Sequence, residues 1–383
     1  MTDDRQGWNA TSLDVTRRLG ELRERDATAA LATVVDVEGS AFRRPGAKMV
    51  LTPDGNQVGA ITAGCLEAPV ATLAEDVFEE SRPVLQTFDL MDDDEWGLGL
   101  GCNGVIDVFV EPLDASLDEA LAKVAHGEST ALLTVVESEA PDVPVGARAT
   151  ITRDGKASVS SGRPPIPADI TDDLSDRSAE CATCAKTTIR EFTVDGQPVR
   201  VFVDGIEPPP KLLVFGGQPD TVPVVKLARD VGFRVTVATA RGGHADPERF
   251  PGADEVVATS PTDLPARVDG RTNVVLMTHN LLDDELALSA LSETDVPYVG
   301  LMGPRERFDT IREDLQSDGV DFSQKFLDRV ATPVGLDLGG GTPMEIALSI
   351  ISEVVAVEHG RNGGRLRDRE GPIHGDRNPV TET

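Results

Sequence analysis

The chain has 383 residues, enough for two or three domains, and 39% of them are hydrophobic, which supports a folded core over a disordered chain. Asp and Glu number 66 against 36 Lys and Arg, a net charge of −30 that repels phosphate backbones and excludes nucleic acid as a leading partner. Only 7 of the cations are lysines, and such an acid excess is expected of a halophilic protein kept soluble in a high-salt cytosol, where screening tames self-repulsion.

Residues Met1 to Asn9 are polar and lack the apolar stretch of a signal peptide, and no run approaches the roughly 20 apolar residues that span a membrane. Four cysteines make no disulfide framework, so the expected location is the reducing cytoplasm, with no membrane partner. An amphipathic helix with Leu13, Leu19 and Leu22 on its buried side opens the first segment, 1–115. Strands are expected at Ala29 to Val37, Lys48 to Thr52, Gln57 to Ile61, Pro83 to Asp89 and Val105 to Glu111, with a helix from Cys65 to Glu80. Asp54–Gly55 has the chemistry of a hairpin turn. The run from Gly97 to Gly104 is too glycine-rich for a regular element.

A middle α+β segment, 116–206, holds a short helix (Leu117 to Ala125), a strand (Thr130 to Glu137) and hairpins at Asp154–Gly155 and Asp195–Gly196. Ser160 to Cys184 is rich in Pro, Asp and Ser and reads as an exposed excursion. No repeat of solenoid period is visible. Pro208-Pro209-Pro210 then stiffens the chain.

From 207 to 359 the texture becomes an alternation of short apolar strands and helices. Strands at Lys211 to Phe215, Arg234 to Ala238, Glu255 to Ala258, Asn273 to Thr278 and Tyr298 to Met302 call for a buried parallel sheet. Thr342-Pro343-Met344-Glu345 is a capping box opening the last helix. Residues 360–383 read as a flexible polar tail. The expected fold class is therefore α/β: an N-terminal β-rich α+β domain followed by a Rossmann-like parallel-sheet domain.

Chemistry is expected at four places. The turn Gly216-Gly217-Gln218-Pro219-Asp220 leads a strand into a helix, as phosphate-binding turns do, although Gln218 stands where a dinucleotide fingerprint has glycine and Thr239 where it has a ribose-binding acid. Arg241 could meet a phosphate instead, and a Rossmann-like sheet without a nucleotide is the equal alternative. His279 and Arg305, the latter after Gly303, stand at strand ends of the same sheet, where ligand crevices form; each could equally be a plain solvent-facing residue. Cys65, beside Gly64 and Glu67, and Cys102, beside Gly101, lie in glycine-rich loops. A helix N-terminus would favour the Cys65 thiolate, and buried inert thiols are the alternative. Cys181 and Cys184 have redox-pair spacing with nothing to complete a zinc site, and Gly339-Gly340-Gly341 is either an anion nest or a simple turn.

Several of these pieces resemble the XdhC/CoxI family. In the first segment they are Glu38-Gly39-Ser40-Ala41-Phe42-Arg43-Arg44-Pro45-Gly46-Ala47, Gly64-Cys65-Leu66-Glu67 and Gly99-Leu100-Gly101-Cys102-Asn103-Gly104. In the second half they are Met277-Thr278-His279-Asn280, Gly300-Leu301-Met302-Gly303-Pro304-Arg305, Gly335-Leu336-Asp337-Leu338-Gly339 and Gly371-Pro372-Ile373-His374. The family's Rossmann turn usually reads Gly-Ala-Gly-His-Asp; here Gly216 and Asp220 carry over. The resemblance implies a maturation factor, more a cofactor-insertion chaperone than an enzyme. Such a factor binds the molybdenum cofactor (molybdopterin) transiently, supports its sulfuration and delivers it to an apo molybdenum hydroxylase of the xanthine or carbon monoxide dehydrogenase type. A cysteine desulfurase and a second copy of the chain, forming a homodimer, are expected partners. The implied cofactor-binding residues are Gly64, Cys65, Glu67, Gly101, Cys102, Gly216, Gly217, Asp220, Arg241, His279, Gly303 and Arg305, with Cys65 and Cys102 together facing the metal; no catalytic residue is assigned. The competing expectation is an NAD(P)-dependent oxidoreductase using the Rossmann-like sheet.

Overall fold

Residues 30–112 and 130–206 fold into two antiparallel five-stranded sheets of the same topology. In the first, β1 (Ala30–Gly39), β2 (Lys48–Leu51), β3 (Gln57–Gly59), β4 (Val84–Asp89) and β5 (Gly104–Pro112) lie in the order β3-β2-β1-β5-β4. In the second, β6 (Thr130–Ser138), β7 (Arg148–Thr152), β8 (Ala157–Val159), β9 (Thr187–Val194) and β10 (Gln197–Ile206) lie in the order β8-β7-β6-β10-β9, the same arrangement. This is a computed structural model, and it describes residues 7, 9–39, 41–90, 104–175 and 187–370. By its internal contacts the chain divides into two units, Met1–Pro208 and Pro209–Thr383.

The likeness of the two sheets reaches individual residues, so the first unit does hold an internal repeat, of two copies rather than a solenoid. Gly46-Ala47-Lys48 recurs a hundred positions on as Gly146-Ala147-Arg148, and Thr52, Asp54 and Gly55 recur as Thr152, Asp154 and Gly155. Gly46 donates from its backbone N–H to Val34 and Gly146 to Val135, both at 2.8 Å. Both glycines have a positive φ, +93° and +85°, a conformation that tolerates no side chain without strain. Strand β1 faces β5 with Leu31 opposite Glu111, and β6 faces β10 with Leu132 opposite Asp204.

The two copies exchange equivalent contacts. Lys48 of the first pairs with Asp204 of the second at 2.6 Å, and Arg148 of the second pairs with Glu111 of the first at 2.6 Å. Their shared core joins Val35 and Phe109 to the corresponding Val136 and Phe202. Both ends of the Arg148–Glu111 pair are buried, and Arg148 also donates to Thr134 (3.2 Å) and Ser116 (2.8 Å), so the buried charges are compensated.

Helix α1 (Ser12–Glu24), begun by a Thr11/Asp14 capping box, buries Leu13, Val15, Leu19 and Leu22. Helix α2 (Glu67–Glu80) joins β3 to β4, and α3 (Asp118–Ala125) precedes β6. Between β8 and β9, residues 168–175 are helical, and Ile166, Ile170 and Leu174 are buried in the core of the second sheet. That part of the expected exposed excursion is thus a packed element: a four-residue apolar spacing survives among the prolines.

In the second unit, β11 (Lys211–Phe215), β12 (Arg234–Thr239), β13 (Glu255–Ala258), β14 (Thr272–Leu276), β15 (Tyr298–Leu301) and β16 (Val330–Ala331) form a parallel sheet ordered β13-β12-β11-β14-β15-β16. Successive residues of β11 serve opposite faces. Leu212 and Val214 pack with α4 (Thr221–Asp230) and α8 (Pro343–Glu358), whereas Leu213 and Phe215 pack with α5 (Leu281–Ser292) and α6 (Arg305–Ser317). The short helix α7 (Gln324–Leu327) adds Phe326 to the second of these cores. Helices on both faces explain why these strands are apolar throughout. The expected Rossmann-like sheet is present. Among the described residues, no helix is long and apolar enough to cross a membrane.

Candidate functional site

Three connections converge on one end of the first sheet. Strand β1 ends at Gly39, paired with Gly104 at the start of β5. Residues 41–47 enter β2 from that end, β3 leaves toward it into 60–66, and β4 leaves toward it at Leu90, whose N–H donates to Gly104 O at 3.0 Å. Gly101 and Cys102 lie outside the described residues. Their neighbour Gly104 stands at this same end.

The 60–66 loop is closed by its own side chains. Thr62 donates to the Glu67 carboxylate from its backbone N–H at 2.9 Å and from its hydroxyl at 2.6 Å, and the hydroxyl accepts the Leu66 N–H at 3.1 Å. Glu67 is only 7% exposed. Gly64 takes φ +106°, which a side chain would strain. Between these fixed points stands Cys65, a free thiol, half-buried, packed on the same core as Ala41 of the neighbouring loop. Helix α2 begins immediately after it, and its N-cap residue Leu66 offers no side-chain cap. Glu67, named in the sequence as a cofactor contact, has both carboxylate oxygens occupied by Thr62. The holding role of Thr62 was not read from the sequence, though its five-residue spacing from Glu67 was there to be seen.

In the second unit the strand order reverses between β11 and β14, the place where open parallel sheets leave a crevice at their carboxyl ends. Gly216 sits between those strands with no room for a side chain: an added Cβ would lie 2.5 Å from Met277 O. At Gly217 the Cβ would lie 2.9 Å from His244 Cβ and 3.0 Å from Thr239 Oγ1. His244 is a neighbour the sequence did not announce. Thr239 is buried, and its hydroxyl accepts the Arg241 N–H at 3.2 Å.

Asp220 and His279 bridge the crevice, Oδ2 to Nε2 at 2.7 Å. The other carboxylate oxygen of Asp220 and the hydroxyl of Thr221 are buried without a partner among the described residues. Arg241 pairs with Asp283 at 3.0 Å. Gly303 has φ +132°, and the aliphatic part of Arg307 covers its Cα. Arg307 continues to the buried carboxylate of Asp284, which also accepts from Thr278. Arg305 is exposed at the head of α6 and has no ion pair among the described residues.

Among the described residues, no group of three or more His, Cys, Asp or Glu side chains could hold a metal ion. The expected two-thiol pair would need Cys102. Among the described residues Cys65 is the soft donor in hand, and it fits a group that carries its own metal ligands.

Comparison with known proteins adds to this geometry. Residues 22–89 match the model of the XdhC and CoxI family, and residues 212–354 match that of the XdhC Rossmann domain. A probable xanthine dehydrogenase subunit from Bacillus subtilis is 28% identical over 343 residues, 88% of this chain and 95% of that protein. The molybdenum cofactor insertion chaperone PaoD of Escherichia coli is 23% identical over 86% of this chain and 83% of its own length. A crystal structure described as a xanthine dehydrogenase from Bacillus halodurans superposes with a TM-score of 0.70 at 29% identity, covering 91% of this chain and 96% of that one.

Proposed function

Because the chain belongs to the XdhC/CoxI family, we propose that it is an accessory factor that binds the molybdenum cofactor, supports its sulfuration and hands it to an apo-hydroxylase of the xanthine dehydrogenase type. The observation that carries this reading is the free Cys65 thiol, held by Gly64 and the Thr62–Glu67 bonds at the sheet end shared with the 41–47 loop. When bound, the cofactor supplies molybdenum, its own sulfur ligands and a phosphate. Cys65 would face the sulfur-bearing end, the expected role of Cys102 as well, and arginines would hold the anionic end. An acidic surface attracts no anion from a distance, so capture relies on such local donors. Gly216, Gly217, Asp220, Arg241, His279, Gly303 and Arg305 of the second unit serve the client enzyme or an anion of its own crevice. A cysteine desulfurase donates the sulfur, the factor works as a homodimer, and the setting is a high-salt cytoplasm.

The test is a strain lacking this chain. The client hydroxylase should accumulate folded but poor in sulfurated cofactor, and Cys65→Ser should restore it poorly. A fully active hydroxylase in that strain would end the maturation role.

One observation favours a second reading, an NAD(P)-dependent oxidoreductase: the strand order is that of dinucleotide-binding sheets. Against it stand the packing of His244 behind Gly217 and the buried Thr239 in place of a ribose-binding acid. A rise in thermal midpoint on adding NADP would support it; no rise would remove it.

A further inference from the structure

The internal repeat separates residues that build the fold from residues that do something else. Positions needed by the sheet occur in both copies: Gly46 and Gly146, Lys48 and Arg148, Asp54 and Asp154. Three connections differ. Between the first two strands, Phe42-Arg43-Arg44 of the first copy is Asp142-Val143-Pro144 in the second, where Val143 is fully buried. After the third strand, Gly64-Cys65 is Pro164-Pro165. Strands β4 and β5 are joined through residues 90–103, whereas β9 and β10 need only Asp195–Gly196. In the first copy, the first two of these connections, the end of β4 and the start of β5 lie at the sheet end that carries Cys65.

The Phe42 segment is exposed at its tip and fixed at its base. Phe42 is 64% exposed, the highest value among the large described hydrophobic side chains of the first sheet. Arg44 is exposed, Arg43 half-buried, and neither guanidinium has an ion pair or hydrogen bond among the described residues, in a chain with 66 acidic groups. Thr187 donates to Pro45 O at 2.9 Å, a Cβ on Gly46 would meet the Thr187 methyl at 2.8 Å, and Lys48 donates to Gly46 O at 3.2 Å while paired with Asp204. An exposed aromatic ring and two unpaired guanidinium groups on a fixed base match a planar heterocycle bearing phosphate: stacking on the ring, charged hydrogen bonds to the anion.

We propose that Phe42, Arg43 and Arg44 are the clamp for the pterin ring and phosphate of the molybdenum cofactor, placed so that the cofactor's metal end meets Cys65. This rests on the function proposed above and adds the residues that hold the ligand's other end.

Cofactor released from a molybdenum enzyme is the probe, and the pterin retained after gel filtration, oxidised and read by fluorescence, is the measurement. Wild-type protein should retain pterin, Arg43→Ala/Arg44→Ala at least tenfold less with a flatter dependence on salt, and Phe42→Ala less with the salt dependence kept. Val145→Ala, in the corresponding connection of the second copy, should retain the wild-type amount. Wild-type retention by the double variant, with loss in Cys65→Ser, would overturn the clamp and leave the proposed function standing. No retention by wild type would overturn both. Displacement of the pterin by equimolar GMP would make the occupant a purine nucleotide and overturn the assignment. Unchanged retention with lost hydroxylase activation in the double variant would turn the segment into a protein-docking surface, also against the proposal.

Discussion

His279 reaches from the end of β14 to Asp220 at the head of α4, 2.7 Å from Nε2 to Oδ2, and does so from a left-handed backbone with φ +55°. That conformation costs a non-glycine residue roughly 1–2 kcal/mol, and a solvent-exposed pair returns about 0.2–1 kcal/mol. The pair alone does not hold the turn. Thr278 accepts the Asn280 N–H at 3.1 Å, and Asn280 caps α5 by accepting from Asp283 N at 3.1 Å. His279→Gly should therefore leave stability unchanged or slightly raised, while His279→Ala, which keeps the strain and loses the bond, should lose about 1 kcal/mol in urea unfolding. If His279→Gly is the less stable of the two, the strain argument fails. If both fold as expected and hydroxylase activation falls, the histidine acts on ligand or client.

The neighbouring glycines differ in what blocks them. At Gly216 the obstacle is the Met277 carbonyl, part of the backbone that continues β14. At Gly217 it is the His244 side chain and the Thr239 hydroxyl, both able to give way. Gly216→Ala should cost roughly 1–3 kcal/mol, the range of overpacked sites, and Gly217→Ala distinctly less. Equal losses in chemical denaturation would mean that the turn yields as a whole.

Asp114 ties stability to pH. Burial by itself would raise its carboxyl, but hydrogen bonds from Ser116 and the charge and hydrogen bond of Arg163 outweigh that and hold it below the usual carboxylate value. A folded value below the unfolded one means stability that is present above the unfolded pKa of about 3.9 and is lost as pH falls through the folded value. Asp114→Asn should be less stable than wild type at neutral pH, with the gap closing as pH falls from about 5 to about 2. A gap that stays constant across that window would show that the ionisation contributes nothing.

The parallel sheet was legible because each strand announces itself locally. Lys211–Phe215 and Thr272–Leu276 are short apolar runs closed by turns, and burial on both faces dictates that composition. The repeat was not legible. Its copies share the residues that make turns, such as Gly46 and Gly146, while their cores keep apolar character without keeping every side chain: Leu31 matches Leu132, but Met49 stands against Ala149. The Lys48–Asp204 pair joins distant parts of the sequence and leaves no local signal. At the site the same division holds. Turn chemistry marked Gly64, Cys65, Asp220 and His279, whereas His244 behind Gly217 depends on how β11 and β12 lie side by side. Prolines 164, 165 and 167 hid the helix that follows them.

Glu67 holds the loop that presents Cys65, and this separates a positioning role from direct contact with a ligand. Both oxygens of its buried carboxylate accept from Thr62, at 2.9 and 2.6 Å, and the Thr62 hydroxyl in turn accepts the Leu66 N–H at 3.1 Å. Removing the carboxylate leaves the Thr62 N–H and hydroxyl buried without an acceptor, a loss of about 1–3 kcal/mol. Glu67→Ala should therefore destabilise the protein by that order and loosen the loop, so that iodoacetamide alkylates Cys65 faster under native conditions. Glu67→Gln keeps the shape and one carbonyl acceptor, and should fall between wild type and Glu67→Ala in both measurements. Thr62→Val, which removes the hydroxyl from the other side, should speed alkylation in the same way. Should Glu67→Ala alter pterin retention while the Cys65 alkylation rate stays at the wild-type value, Glu67 would be touching the ligand rather than holding the loop.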